Sequence, residues 1–229
     1  MALDQAQAQS IVDSYPSWHH TMELAPGVFT RGAYDPLDVM ARIDLPEDLT
    51  GLRALDVGAS DGYFTRELDR RGAEVVAIDY RPKTGNGFSI MEQICGKTFR
   101  HFHANVYDLP DLSLGQFDII LLLGIIYHLP DPVRALHILR QACRGELFVE
   151  SYAEYFDDRP AARYYVGNSL YGDLTNFFAP NPACLRAWME DAGFEVTRVA
   201  VFGDRCAANG RVRAESYKMK LAYGLVEQG

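Results

Sequence analysis

From Arg53 onward, short apolar runs alternate along the chain with stretches of helical character, and this alternation limits the fold more than any other feature. The run at residues 54–57 ends at Gly58, and Glu74–Asp79 contains four consecutive apolar residues. Runs without polar alternation are typical of strands that are covered on both faces. Strands that alternate with helices form right-handed βαβ units around a parallel sheet. The sequence therefore predicts an α/β fold with a doubly wound, mostly parallel sheet.

The later elements continue this pattern and then change it. The spacing predicts further strands over 99–104, 117–123 and 146–150, and helices over 64–70, 132–142 and 182–192. In the last third we expect strands over 194–202 and 215–223, joined by a loop that contains Gly203, Asn209 and Gly210. An antiparallel hairpin of this kind closes an otherwise parallel sheet.

Two segments differ from the rest in composition. Residues 1–50 carry four prolines that break them into short pieces, which predicts an N-terminal helical cover on a domain at 51–229. Residues 151–181 are rich in tyrosine, phenylalanine and asparagine and are long for a simple connection. We interpret them as a cap over an acceptor site.

Composition excludes several classes of protein. The 229 residues are 48% hydrophobic, which is too high for a disordered chain, and 22 basic against 31 acidic residues give a net charge of −9. That charge argues against a phosphate-binding surface and hence against a nucleic-acid partner. No apolar run approaches the roughly 20 residues that span a bilayer, and the first residues lack a leader pattern. We expect no membrane partner, a cytoplasmic location and reduced thiols, since the four cysteines form no Cys-x-x-Cys pair.

The turn after the first strand carries the main chemical signal. Gly58, Ser60 and Gly62 follow Asp56 there, and Asp79 ends the second strand 21 positions after Gly58. Glycines let the backbone approach a ligand closely, and a strand-end acid at this distance is typical of one that binds a ribose diol. A nicotinamide fingerprint requires glycines that this turn lacks. The nicotinamide interpretation and a turn that binds nothing remain the weaker alternatives.

The pattern Asp-x-Gly-x-x-x-Gly resembles motif I of the class I S-adenosylmethionine (SAM) methyltransferases, and residues 116–132 resemble the family's motif around strand four. The resemblance implies a Rossmann-like fold, SAM as cofactor with S-adenosylhomocysteine as product, and no metal. By position, it implies cofactor contacts from ten residues: Trp18, Asp56, Gly58, Ser60, Gly62, Asp79, Tyr80, Asn105, Val106 and Gly124.

Three further stretches, at residues 18–28, 124–128 and 176–180, resemble a narrower group, the wobble-uridine tRNA methyltransferase-like family. Its named members finish 5-oxyacetyl-uridine in tRNA with carboxy-SAM as donor. Where their segment reads Trp-Arg-Lys-Gly, this chain has His20 in place of the lysine that pairs with the extra carboxylate. An imidazole is a poorer fixed counter-charge than an ammonium group. This departure and the negative net charge favour SAM and a small acceptor.

Candidate catalytic and substrate residues lie near the expected strand ends. His128 follows strand four and is the candidate base, because imidazole titrates near neutrality; Tyr127 lies beside it, and His20 is a rival. Candidate acceptor contacts are His19, Arg31, Glu150, Tyr152, Asn176, Arg211 and Arg213. His101 and His103 share a strand face, but no further residue has convincing metal-ligand spacing.

The sequence thus predicts a SAM-dependent methyltransferase that modifies O or N of a small molecule in a biosynthetic or tailoring pathway. Two alternatives stay open. One is a tRNA wobble-uridine methyl- or carboxymethyltransferase, and the other is a non-catalytic, nucleoside-binding regulatory protein. The acceptor and the oligomeric state are left open by these patterns.

Overall fold

The computed structural model describes residues 4–214 and 217–222. The chain divides into two compact units, the first ending at Asn105 and the second beginning at Val106. Within the described ranges, no helix has both the length and the apolar composition that a bilayer crossing requires.

The first 50 residues contain helices and a short hairpin. Their elements are α1 (Gln5–Asp13), β1 (Glu23–Ala25), β2 (Val28–Phe29) and α2 (Leu37–Ile43). Helix α1 begins with a capping box, in which the Asp4 carboxylate accepts from the Gln7 backbone and the Gln7 side chain bonds the Asp4 N–H. The indole of Trp18 is buried and donates to the carbonyl of Val12, 2.9 Å away. This segment is therefore part helix and part hairpin, and its role as a cover stays a prediction.

Three parallel strands form the sheet portion of the first unit. Its elements are β3 (Arg53–Val57), α3 (Tyr63–Arg70), β4 (Glu74–Asp79), α4 (Gly87–Cys95) and β5 (Arg100–His103). Strand β4 lies between the other two, with Val57 opposite Ile78 and Asp79 opposite His103. Its apolar residues are almost completely buried, as the lack of polar alternation predicts.

The second unit begins with a parallel pair and ends with antiparallel strands. Its main elements are β6 (Phe117–Leu123), α5 (Pro132–Ala142), β7 (Cys143–Tyr152), α6 (Pro182–Ala192), β10 (Phe194–Phe202) and β11 (Arg205–Val212). Strand β6 runs parallel to β7, whereas β11 runs antiparallel to both β7 and β10. The predicted α/β class, with mostly parallel pairing in the core and a C-terminal antiparallel hairpin, is confirmed.

The predicted position of the hairpin is wrong. Its second strand is β11, not residues 215–223, and the chain turns at Gly203 and Asp204. Residues Asn209 and Gly210, expected in the loop, lie inside β11. A Cβ on Gly210 would come within about 3.0 Å of Met189 and Phe194, so this glycine reflects close packing rather than a turn. Residues Tyr217–Ala222 form helix α7, and 215, 216 and 223 lie outside the described residues.

The segment at 151–181 contains a small sheet of its own. Strands β8 (Ala162–Tyr164) and β9 (Phe178–Pro180) pair antiparallel. The backbone N–H of Phe177 donates to the carbonyl of Tyr127 at 2.9 Å, which ties the end of this segment to the turn after β6. All four cysteines are free thiols, and three of them are buried.

Candidate active site

The turn after β3 adopts a tight left-handed path. Gly58, Ser60 and Gly62 have φ angles of +79°, +52° and +90°. The φ of Gly62 is one that other residues rarely adopt, and a Cβ there would also displace the end of the Met91 side chain, so glycine is favoured where α3 begins. Such a turn directs backbone N–H groups and a helix N-terminus toward a ligand bound at the carboxyl end of β3.

Asp79 joins this turn to the end of β4. One carboxylate oxygen accepts from the backbone N–H of Ser60 at 2.8 Å, and the other accepts from the N–H of Arg81 at 2.8 Å. Asp79 is 3% exposed, while the next residue, Tyr80, is 63% exposed. The structure therefore brings together the predicted turn and the predicted acid. Nε of Arg81 also lies 3.5 Å from the second oxygen. A carboxylate has about four lone-pair positions, so these three contacts leave Asp79 able to accept from a hydroxyl group.

Asp56 has a different environment from the one expected of a ligand-facing acid. It is buried, and its carboxylate accepts from the hydroxyl of Thr65 on α3 at 2.6 Å. Burial raises the pKa of Asp56 to about 6, although the bond from Thr65 and the charge of His20 oppose the shift. The side chain holds the turn against α3.

Asp61 is a residue that sequence reasoning missed. One of its oxygens accepts from the backbone N–H groups of both His19 and His20 at 2.8 Å, and the other pairs with Nδ1 of His20. Burial raises the pKa of Asp61, but the bonds and charge of His20 outweigh it and hold the pKa below its ordinary value. Its place inside the glycine-rich turn, beside Gly62, was the available signal.

His20 is consequently a buried side chain with a partner, at 3% exposure. Its ring packs against Tyr63 and Phe64, while His19 is exposed and stacks on Tyr34. The structure places His20 as an anchor of the N-terminal segment on the turn. Trp18 is buried beside it, with its N–H already bonded to Val12.

The two residues after β5 and the two histidines of β5 have separate environments. Asn105 is exposed and Val106 is buried at the start of a 3₁₀ helix. His101 packs against Phe88, and burial lowers its pKa, whereas His103 bonds the carbonyl of Tyr80. Among the residues that the structure describes, no three His, Cys, Asp or Glu side chains form a group that could hold a metal ion.

In the second unit, buried Glu150 forms an ion pair with the partly buried Arg205, and the sequence did not reveal this pairing. Glu150 is 1% exposed, and the guanidinium of Arg205 bonds both of its oxygens, one at 2.9 Å. The same guanidinium lies 5.3 Å from the ring centre of Tyr127 and 3.4 Å from its hydroxyl. Burial acts to lower the pKa of Arg205, but the bonds and charge of Glu150 outweigh burial. The pKa of Arg205 therefore lies above its ordinary value. Gly124, with φ of +70°, lies beside this pair.

The structure gives the arginines near the predicted hairpin different positions. Arg205 is brought to Glu150 because β11 pairs with the carboxyl end of β7. Arg211 lies at the other end of β11, where it pairs with Glu146, and Arg213 donates to the carbonyl of Glu190. Both were selected for their nearness to a hairpin loop that lies elsewhere. Arg31 is exposed, in the first unit.

His128 and its neighbours complete the cluster around Tyr127. The two rings lie 4.1 Å apart, and Nδ1 of His128 is held by Thr175. Burial lowers the pKa of His128, which favours the neutral form of its imidazole. Tyr152 is buried with its ring 6.5 Å from Tyr127, and the side chain of Asn176 donates to the carbonyl of Leu170 at 3.0 Å.

Comparison with known proteins agrees with this geometry. A family model described as "Methyltransferase domain" matches residues 31–199. A tRNA U34 carboxymethyltransferase of Campylobacter jejuni (strain 81-176) is 32% identical over 145 residues, 61% of this chain and 48% of that protein. The enzyme of the same name from Pseudomonas paraeruginosa (strain PA7) is 30% identical over 168 residues, 69% of this chain and 49% of that protein. The chain spans about half the length of these curated relatives.

Solved structures share the fold. The N-terminal domain of EvdMO1 with S-adenosylhomocysteine bound has a TM-score of 0.66 at 20% identity, covering 92% of this chain and 98% of that one. Magnesium protoporphyrin IX methyltransferase from Synechocystis PCC 6803 with bound SAM has a TM-score of 0.54 at 18% identity, covering 72% of each chain. The fold is thus that of class I methyltransferases. Since the family model covers well over half of its residues, the chain belongs to the family of methyltransferase domains, and the resemblance predicted from its motifs is confirmed.

Proposed function

We propose that this protein binds SAM and transfers its methyl group to O or N of a small-molecule acceptor. The observation that carries the proposal is the bond between Asp79 and the backbone of Ser60, because it sets a strand-end acid beside a glycine-rich turn. Family membership supports the same reaction, as do the methyltransferases crystallised with SAM or its product.

The first unit supplies the groups that would hold the cofactor. Asp79 would accept from the ribose hydroxyls, while the turn from Gly58 to Gly62 and the start of α3 present N–H groups to a carboxylate. When bound, SAM supplies a methyl group on a positively charged sulfur. In the transfer, the acceptor atom bonds the methyl carbon as the carbon–sulfur bond breaks with its electron pair going to sulfur. A proton on the acceptor then needs a base.

The second unit supplies candidate acceptor contacts: Tyr127, His128, Glu150, Tyr152 and Arg205. Glu150 balances the charge of Arg205, so the cluster has little net charge to attract phosphate or carboxylate groups. Further arginine–carboxylate pairs lie among the described residues of this unit, at 144–118, 159–157, 163–154, 186–190 and 211–146. This pairing, with the net charge of −9, supports a small acceptor of low charge over a nucleic acid.

A second candidate function is modification of a tRNA wobble uridine. The observation in its favour is the name of the curated relatives, which are tRNA U34 carboxymethyltransferases at 30–32% identity. These names weaken the expectation that nucleic acid is not a partner. Against carboxy-SAM stands His20, which is buried on Asp61 and so is a poor counter-charge for an added carboxylate.

Isothermal titration with SAM and S-adenosylhomocysteine tests the cofactor. We expect Asp79→Ala to weaken binding by roughly 10- to 100-fold, because bonds to a charged group contribute about 1.5–3 kcal/mol. Asp38→Ala, an exposed acid on α2, is the control and should bind as the wild type does. Absence of binding by the wild type would overturn the proposal and would favour a glycine-rich turn that binds neither SAM nor its product.

Acceptor class is tested separately. Mass spectrometry of the cofactor that co-purifies distinguishes SAM from carboxy-SAM, and a tRNA shift assay at two salt concentrations detects nucleic-acid binding. Turnover of small acceptors with SAM and no salt-sensitive tRNA shift is the expected result. Carboxy-SAM with salt-sensitive tRNA binding would support the second candidate. SAM binding without turnover on either class would favour the regulatory interpretation.

A further inference from the structure

His128 is held on one side by a short polar chain that runs through Thr175 to Asp173. Nδ1 of the ring lies 3.2 Å from the Thr175 carbonyl oxygen and 3.0 Å from its hydroxyl oxygen. The Thr175 hydroxyl lies 2.7 Å from one oxygen of Asp173, which also accepts the Thr175 backbone N–H at 2.8 Å. All three residues belong to the second unit, and Thr175 and Asp173 lie in the 151–181 segment.

These contacts determine where the imidazole proton lies. A carbonyl oxygen only accepts, so a ring nitrogen bonded to it carries hydrogen. The Thr175 hydroxyl has one proton, and Asp173, as a carboxylate, has none to offer. The hydroxyl therefore donates to Asp173 and accepts from the ring. Both contacts require a proton on Nδ1, which leaves Nε2 of neutral His128 with a free lone pair.

The surrounding charges agree with this assignment. The bonds from Thr175 hold the pKa of Asp173 below its ordinary value, so Asp173 is ionised at neutral pH. Burial lowers the pKa of His128, while the Thr175 carbonyl and the charge of Asp173 act in the opposite direction and Arg205 reinforces burial. The ring is neutral in its resting state, and the carboxylate stabilises the positive charge that the ring acquires when Nε2 takes a proton.

We propose that Asp173 and Thr175 are positioning residues that hold His128 as the Nδ1–H tautomer, with Nε2 ready to accept the proton of a hydroxyl or amine acceptor. The proposal rests on the proposed methyl transfer. It makes the acceptor a group that carries a proton, and Nε2 the atom that receives it. Asp173 acts through Thr175 and not on the acceptor.

The test is the ¹⁵N–¹H spectrum of the imidazole nitrogens in labelled protein above the ring pKa, with His128→Asn to assign the signals. We expect the Nδ1–H form in the wild type. Asp173→Ala frees the Thr175 hydroxyl to donate to the ring, and we expect it to move His128 toward the Nε2–H form. Asp173→Asn retains an accepting oxygen, so it should keep the tautomer while lowering the ring pKa. Thr175→Ser should behave as the wild type does.

The chain offers a matched control, because Asp48-Leu49-Thr50 repeats the same three residues with the same turn, 2.9 Å from the Asp48 carboxylate to the Thr50 N–H. Asp48→Ala removes that turn, in which the carboxylate is paired with Thr50 and not with a histidine, and should leave the His128 signals unchanged. An Nε2–H signal in the wild type would overturn the tautomer assignment, because the Thr175 carbonyl requires a proton on Nδ1. A tautomer population unchanged in Asp173→Ala would overturn the positioning role of Asp173, which acts only through the Thr175 hydroxyl. These measurements need no acceptor, so their outcome does not depend on whether the titration detects SAM binding. Once an acceptor is known, a fall in kcat for Asp173→Ala with KM retained is expected.

Discussion

The two units stabilise their buried carboxylates in different ways. In the first unit, Asp56 accepts from a hydroxyl and Asp61 from backbone N–H groups and an imidazole. In the second, Glu150 meets the guanidinium of Arg205. A guanidinium keeps its charge at every accessible pH, whereas hydroxyl and imidazole donors leave the charge of the carboxylate dependent on pH. We therefore expect the stability of the turn region in the first unit to depend on pH. The stability of the Arg205 cluster should instead depend on keeping both members of the ion pair.

The largest effect is expected where most donors depend on one carboxylate. Asp61→Ala leaves two backbone N–H groups and the buried ring of His20 without their acceptor. We expect it to lower the free energy of unfolding by about 3–5 kcal/mol, measured by urea denaturation. Asp69→Ala, which breaks a partly exposed pair with Lys97, is the control and should cost about 0–1 kcal/mol. Equal losses in the two variants would contradict the role of Asp61 as an anchor.

Breaking the ion pair of the second unit is the next test. Glu150→Ala leaves Arg205 without its partner, and since that side chain is 20% exposed and reaches some water, we expect a loss of about 2–4 kcal/mol. Glu146→Ala lies on the same strand and removes the partner of Arg211, which is 68% exposed, so about 0–1 kcal/mol is expected. A double replacement of Glu150 and Arg205 by methionine should recover much of the loss. If the double variant is as unstable as Glu150→Ala, the cost does not come from an unpaired charge.

The pH dependence of the first unit can be isolated with Asp56→Asn. The folded pKa of about 6 lies above the unfolded value near 3.9, so the protonated carboxyl is favoured by folding. This contribution is fully present below pH ~4 and is lost as the pH rises through about 6. The asparagine variant should therefore gain about 2–3 kcal/mol relative to the wild type between these limits. A constant difference between the two unfolding curves from pH 4 to 7 would rule out the shift.

The smallest effect concerns the packing that sets the register of β11. Gly210→Ala would bring a methyl group within about 3.0 Å of Met189 and Phe194. We expect a loss of about 1–3 kcal/mol in urea denaturation, because close-packed neighbours have to move. A neutral or stabilising effect would show that the side chains of α6 and β10 move aside at little cost in free energy. The pairing of Arg205 with Glu150 would then owe little to this contact.

Three elements with strong local signals have the predicted bounds, whereas β7 extends beyond the predicted 146–150 at both ends and α4 was not predicted. Strand β6 and helices α5 and α6 have the expected bounds, since Asp131 and Asn181 cap the helices ahead of Pro132 and Pro182. Strand β11 was missed because its residues, rich in alanine with Asn209 and Gly210, have little strand propensity. Its strand conformation comes from pairing on both edges, with β7 and β10.

The same distinction divides the candidate site. Asp79 and the turn from Gly58 to Gly62 were predicted from the sequence, because a glycine-rich turn and a strand-end acid follow each other at a characteristic short spacing. The partners of Asp61 and Glu150 were not, since His20 and Arg205 lie 41 and 55 positions away. No local pattern specifies which charged side chain will face another across a sheet.

The α/β class, the five strands from β3 to β7 and the glycine-rich turn followed from the sequence alone, because each depends on residues close together in the chain. Contacts between distant residues appear only in the folded chain: His20 pairs with Asp61, Arg205 rather than Arg211 meets Glu150, and Thr175 and Asp173 lie against His128. Strand register and burial set these contacts. A shift of β11 by one residue would direct Arg205 to the opposite face of the sheet, with almost no trace in the local sequence.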